Sequence, residues 1–142
     1  MFDELLNAMD MVGFLDEEQQ DLFTVLGAVL NMGNIAFEMD ENEGALVKEA
    51  HGSLRTAAKL LGVDTEKLAE VLTSTSTTTR GSVIKRRLKD HQAIDVRDAT
   101  AKALYGRLFG WIVNKVNQLL APPIAFKRRG GHRNRYPRYI WF

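Results

Sequence analysis

One run constrains this chain more than any other: QAIDVRDATAKALYGRLFGWIVNKVNQLL, Gln92 to Leu120. Within it Ile94, Ala101, Leu104, Tyr105, Leu108, Phe109, Ile112, Val116 and Leu119 fall at helical spacing. That pattern gathers the apolar side chains on one side of an α-helix. At about 1.5 Å per residue the helix is on the order of 43 Å long, well beyond the usual length of about 11 residues. A helix of that length serves as a spine for other elements. Pro122-Pro123, which cannot continue a helix, stops it. The expected fold is therefore mainly α, with minor β.

The chain before this helix divides at its glycines. Phe2, Leu5, Leu6 and Met9 predict a helix over Phe2 to Met11, ended by Gly13. Asp16 reads as an N-cap, and Glu17, Glu18 and Asp21 as acids suited to the positive end of a helix dipole. Leu22, Phe23, Val25, Leu26, Val29 and Leu30 carry that helix to Met32, and Gly33-Asn34 breaks it. Ile35 to Phe37 predicts a short extended piece and Asp40 to Gly44 a turn. Ser53 caps a helix through Leu61 that Gly62 closes; Asp64 or Thr65 opens another through Leu72. Thr73 to Thr79 is TSTSTTT, whose consecutive hydroxyl and β-branched residues suit extended chain. Arg80-Gly81 turns it, and Ser82 to Leu88 returns as the second strand of an irregular hairpin. Phe23, Leu26, Leu108 and Phe109 are expected in the core.

Charge is segregated. The net charge of +1 conceals twelve acids against one base, Lys48, over Met1 to Ala50, and eighteen bases against six acids thereafter. This predicts an acidic face and a basic contact surface able to meet an acidic filament or a nucleic acid. There are no cysteines, so no disulfide or thiolate metal site. His51, His91 and His132 stand apart, without the spacing of a metal motif. No apolar run approaches the roughly 20 residues that span a bilayer, and the opening MFDE does not resemble a secretory signal. A cytosolic or nuclear protein is expected.

Four stretches carry a family resemblance. VGFLDEEQQDLFTVLGAVLNMGNIAF, Val12 to Phe37, resembles the segment that follows switch I in the upper subdomain of the myosin motor head. AAKLLGVDTEKL, Ala57 to Leu68, resembles the next helical pair. TRGSVI, Thr79 to Ile84, is similar to the start of the surface loop that touches actin, and QA followed by RDATAKALYGRLFGWIVNKVN to the helix leading to switch II. The GRLFGWIVNKVN wording is closer to unconventional than to muscle myosins. The resemblance implies a fragment of the myosin motor domain, a P-loop NTPase-type fold, with residues 1–121 forming a partial motor domain. It implies an actin filament and the remainder of the myosin head as partners, and a cytoplasmic location on the actin cytoskeleton.

The same resemblance implies site residues. In the family, a position about sixteen residues before an Asp-Ala-x-Ala-Lys motif is an acid or a phosphorylatable Ser or Thr. The motif here is Asp98-Ala99-Thr100-Ala101-Lys102, and the count lands on Ser82. A phosphoserine adds about −1.5 to −2 charges, which on this loop favour productive actin contact. Arg80, Lys85, Arg86 and Arg87 surround Ser82 and are the candidate actin contacts through charge steering. Without the resemblance they would read as a solvated strand edge, where cations also deter edge pairing.

Nucleotide chemistry needs a GxxxxGK[ST] loop to cradle phosphates and hold magnesium. No such string occurs. Switch I of the family would lie upstream of Met1. ATP and Mg, cofactors of the family, are accordingly not expected to bind this chain alone.

The family next expects a switch II strand where this chain reads HRNRYPRYIWF. Arg133 to Phe142 can be encoded cgg aac cgg tat cct cga tat att tgg ttt. One base forward, this reads Gly-Thr-Gly-Ile-Leu-Asp-Ile-Phe-Gly-Phe, a switch II strand. The basic 122–142 tail, without apolar period, is thus expected to lack packed structure and to be out-of-frame sequence. The competing readings are a basic-tailed nucleic-acid binder, since KRRGGHRNRYPRY mixes cations with aromatics, and a helical interaction protein without activity. Nucleic acid is the less favoured partner.

Overall fold

The computed structural model describes residues 1–48 and 52–121. Five helices and four strands follow in the order α1 (Phe2–Val12), α2 (Asp16–Gly33), β1 (Ala36–Met39), β2 (Ala45–Lys48), α3 (Ser53–Leu61), α4 (Thr65–Thr73), β3 (Ser74–Thr79), β4 (Ser82–Arg87) and α5 (Asp90–Leu119). The chain is mainly helical with two small antiparallel sheets, β1–β2 and β3–β4.

Helix ends follow local chemistry. Gly13 and Gly62 close α1 and α3 in the left-handed conformation that only glycine adopts cheaply. Asp64 caps α4, its carboxylate accepting from the Lys67 backbone N–H at 2.9 Å. Two expected caps move by one residue. Asp16 is the first helical residue of α2; the cap position belongs to Leu15, whose N–H donates to Glu18 at 3.1 Å. Ser53 is likewise the first residue of α3, and left-handed Gly52 precedes it. α5 starts at Asp90 rather than Gln92, because Gln92 turns back to accept the Lys89 N–H at 3.0 Å and so satisfies an otherwise orphan donor. Pro122-Pro123, His51, His132 and the 122–142 tail lie outside the described residues.

The core has two parts. Met32, Ile35, Ala57, Ala58, Leu68 and Leu72 form one buried cluster. Met9, Phe14, Leu22 and Leu108 form the other. α5 serves both: Val96, Ala101 and Leu104 pack on the first, Ile112, Val116 and Leu119 on the second. Two polar ties fix it along its length. Arg97 donates to the Ile35 carbonyl at 2.7 Å, and Lys115 pairs with Glu18 of α2. Small Ala57 and Ala58, both fully buried, form part of the first cluster with Met32 of α2.

One expected core residue is not there. Leu108 is 9% exposed, but Phe109 is 58% exposed, and Tyr105 is open beside it. The apolar residues of α5 cover more of the helix surface than α2 and α1 can reach. Phe23 and Leu26 pack on the second cluster as expected. Among the described residues no helix is long and apolar enough to cross a membrane.

Candidate functional site

The candidate residues sit on the β3–β4 hairpin. Thr77 pairs with Ile84, Thr78 with Val83 and Thr79 with Ser82, so only Arg80 and Gly81 form the turn. Both have positive φ, 50° and 82°. That is the backbone of a two-residue hairpin turn matched to the strand twist, and it calls for glycine at one of the two positions. The hairpin is therefore regular through Ser74–Arg87, not irregular as the sequence suggested. Threonines hold extended chain by their branched Cβ, without needing a core beneath them.

The hairpin grows directly from the end of α4. The Thr73 carbonyl accepts from Leu88 N–H at 2.8 Å, and Leu88 returns its carbonyl to the N–H of Ala45 in β2 at 2.8 Å. Leu88 is buried, so the hairpin's base is anchored while every residue of β4 is exposed. The structure thus places Arg80, Ser82, Lys85, Arg86 and Arg87 on one projecting element.

The four cations are not equivalent. Lys85 pairs with Glu70 on α4. Arg87 pairs with Asp40 in the β1–β2 turn and donates to the Ala45 carbonyl at 3.3 Å. Its guanidinium fills the space above Gly44, where an added Cβ would lie 2.5 Å from Arg87 Cζ. Arg80 and Arg86 have no ion pair among the described residues.

Asp40 and Glu70 are the partners that sequence reasoning missed. Asp40 had a signal: an Asp four residues before a Gly, in a predicted turn, forms a side-chain-to-backbone turn. One Asp40 oxygen accepts from the Gly44 N–H at 2.8 Å and from the Asn42 N–H at 2.9 Å. The Gly44 N–H first, and the Arg87 guanidinium second, hold the Asp40 carboxyl below the usual carboxylate range. Glu18 is lowered in the same way, chiefly by its hydrogen bond from Lys115 and then by the Leu15 N–H. The strand β2 that supplies the Ala45 contact was also missed, since ALVK is too short to show a period.

His91 is exposed beside Asp90. No group of three or more metal-ligating side chains gathers among the described residues.

The family model "Myosin head (motor domain)" matches residues 1–128. Myosin-IIIb of Mus musculus is 40% identical over 124 residues, covering 85% of this chain and 10% of the relative. Myosin-1 of Arabidopsis thaliana is 38% identical over 130 residues, covering 92% of this chain and 11% of the relative. Myosin-IIIa of Homo sapiens is 43% identical over 113 residues, covering 78% and 7%. Proteins named as unconventional myosins are among the matches. The chain spans about a tenth of the length of these relatives. On these matches the chain belongs to the myosin head (motor domain) family.

Proposed function

We propose that this chain is a segment of an actin-based, ATP-driven motor of P-loop NTPase type, and that its β3–β4 hairpin belongs to the actin-facing surface. The observation that carries the reading is a regular, projecting hairpin with a basic, exposed return strand, anchored at its base by the Leu88 backbone bonds to Thr73 and Ala45. An element with so little core beneath it has its side chains free for a partner, and cations there favour encounter with an acidic filament. ATP and Mg belong to the rest of the motor, because the chain has no phosphate-cradling GxxxxGK[ST] loop. Turnover by the chain alone is therefore not expected. The remainder of the motor is the natural cover for Tyr105, Phe109 and Trp111, which α5 leaves exposed. The setting is the cytoplasmic actin cytoskeleton.

Co-sedimentation of the chain with actin filaments tests the contact, and a phosphate-release assay tests the absence of turnover. Ser82 is the proposed regulatory position: it is exposed, at the first residue of β4, next to the turn. A phosphate there adds about −1.5 to −2 charges at the tip. In a full-length motor carrying this segment, Ser82→Glu should raise actin-activated turnover; an unchanged rate would remove the regulatory role.

A further inference from the structure

The methionines divide by exposure. Met9 and Met32 are buried, Met1 and Met11 stand in solvent, and Met39 lies between, 40% exposed at the end of β1. Met39 alone among them has a hydrogen-bonding partner for its sulfur among the described residues: the Asp90 N–H, 51 residues on, donates to it at 3.4 Å. Asp90 is the first residue of α5. The opening N–H groups of a helix have no partner within it. Here the Lys89 N–H donates to the Gln92 side chain at 3.0 Å and the His91 N–H to the Asp90 carboxylate at 2.7 Å. The helical ladder starts only with the Ala93 N–H, which donates to the Lys89 carbonyl at 2.9 Å. The Asp90 N–H is thus left to a thioether, which is a weak acceptor.

Both sides of this contact are held in place. Met39 pairs with Ala45 across the β1–β2 ladder, and its neighbour Asp40 binds Arg87. Just before β1, the Ile35 carbonyl accepts from Arg97 of α5 at 2.7 Å. The strand is therefore tied to α5 at either end, by an oxygen at one and by a sulfur at the other.

We propose that Met39 is an oxidation site and that its sulfoxide caps α5. The oxidant is a hydroperoxide, of which hydrogen peroxide is the simplest. A sulfur lone pair attacks one peroxide oxygen, the O–O bond breaks, and the S–O bond forms as the sulfur gives up two electrons. The departing hydroxide takes the proton from the transferred oxygen and leaves as water. The thioether becomes a polar sulfoxide, the first step of methionine oxidation. Inside a core that polarity would disrupt packing. A half-exposed side chain with three rotatable bonds can instead turn the new oxygen toward the Asp90 N–H. A weak acceptor is thereby replaced by a strong one, and the junction between the β1–β2 sheet and the start of α5 tightens. Oxidation of Met11 has no such effect, since no donor faces its sulfur among the described residues. The inference is independent of the actin-facing reading, because neither Met39 nor Asp90 lies on the β3–β4 hairpin.

The test treats the full chain, with Met11→Leu as background, with dilute hydrogen peroxide. Peptide mass spectrometry locates the added oxygen, and NMR follows exchange of the Asp90 amide with water. Met39 should gain one oxygen well before Met9 and Met32. Asp90 exchange should then slow about three- to tenfold, the range a net hydrogen bond supplies, and recover after treatment with methionine sulfoxide reductases. The Lys67 amide, capped by Asp64, is the internal reference and should not change. Met39→Gln, whose amide oxygen has similar reach, should slow Asp90 exchange without peroxide. Met39→Leu, which has no acceptor, should speed it and abolish the response to peroxide. An Asp90 rate that is unchanged or faster in the oxidised chain overturns the proposal, and so does a Met39 that oxidises no sooner than Met9 and Met32. A Met39→Leu chain whose Asp90 amide exchanges as in the unaltered chain overturns the sulfur contact from which the proposal starts.

Discussion

Leu108 and Phe109 are consecutive apolar residues of α5 that point in different directions around the helix and have different surroundings, and they give a sharp test of the packing. Leu108 is 9% exposed in the cluster with Met9, Phe14 and Leu22. Truncation to alanine removes buried methyl groups and leaves a cavity, which costs about 2–5 kcal/mol. Phe109 is 58% exposed. Full burial of such a side chain is worth roughly 1.5–3 kcal/mol, so its buried remainder contributes about 1 kcal/mol. Against a total stability of roughly 5–15 kcal/mol, the first loss is large and the second modest. Urea unfolding followed by helical circular dichroism, at two protein concentrations, measures both. Equal costs for Leu108→Ala and Phe109→Ala would refute the packing described for α5. A Phe109→Ala cost that grows with protein concentration would instead mean that a second copy covers this face. In a full motor, where the proposed cover is present, the Phe109 cost should rise toward that of Leu108.

Three further outcomes follow from local chemistry. Asp64→Ala removes the carboxylate that accepts from Lys67 N–H and should cost about 1 kcal/mol in the same unfolding assay, with Asp64→Asn nearly neutral. Gly81→Val forces a branched residue into φ +82° and should destabilise the hairpin by about 1–2 kcal/mol, visible as faster amide exchange in β3 and β4. Asp40 and Glu18 have folded-state pKa values below their unfolded ones. Their contribution is therefore complete above the unfolded-state pKa and fades as pH falls through the folded-state value. Thermal unfolding should show a loss of stability below the ordinary carboxylate range that is smaller in Asp40→Asn; an identical acid profile would count against the Asp40 network.

What the sequence made legible was whatever local physics decides. Gly13 and Gly62 end helices because the left-handed backbone needs them, and TSTSTTT is extended because branched Cβ atoms crowd a helix. Leu108 is buried because its position on the helix faces α1 and α2. Phe109 has an equally apolar character, but burial depends on whether a partner element exists at that azimuth, and periodicity carries no such information. The caps at Leu15 and Gly52 were misread by one residue because Asp16 and Ser53 are favourable caps in isolation, and the reciprocal bond from Leu15 N–H to Glu18 settles the first frame. For the candidate site, the position of the five hairpin residues was legible, but their division was not. That division depends on Glu70 and on Asp40, which meets Arg87 47 residues away in sequence.

The tie between Glu18 and Lys115 joins residues 97 apart. Closing a chain segment of that length costs about 4 kcal/mol in entropy beyond the constant term. The hairpins and the α3–α4 pair close far shorter segments, so they can form, and α2 can pack on α3, while the other side of α2 still waits for α5. Because α5 follows them in the chain, a ribosome delivers the nascent protein with Leu22 and Phe23 covered only from the α1 side, by Met9, Phe14 and Phe2, until residues near Lys115 emerge. That interval, and not the finished fold, is when this sequence most needs a chaperone, and slowing translation just before α5 should lower the yield of native protein.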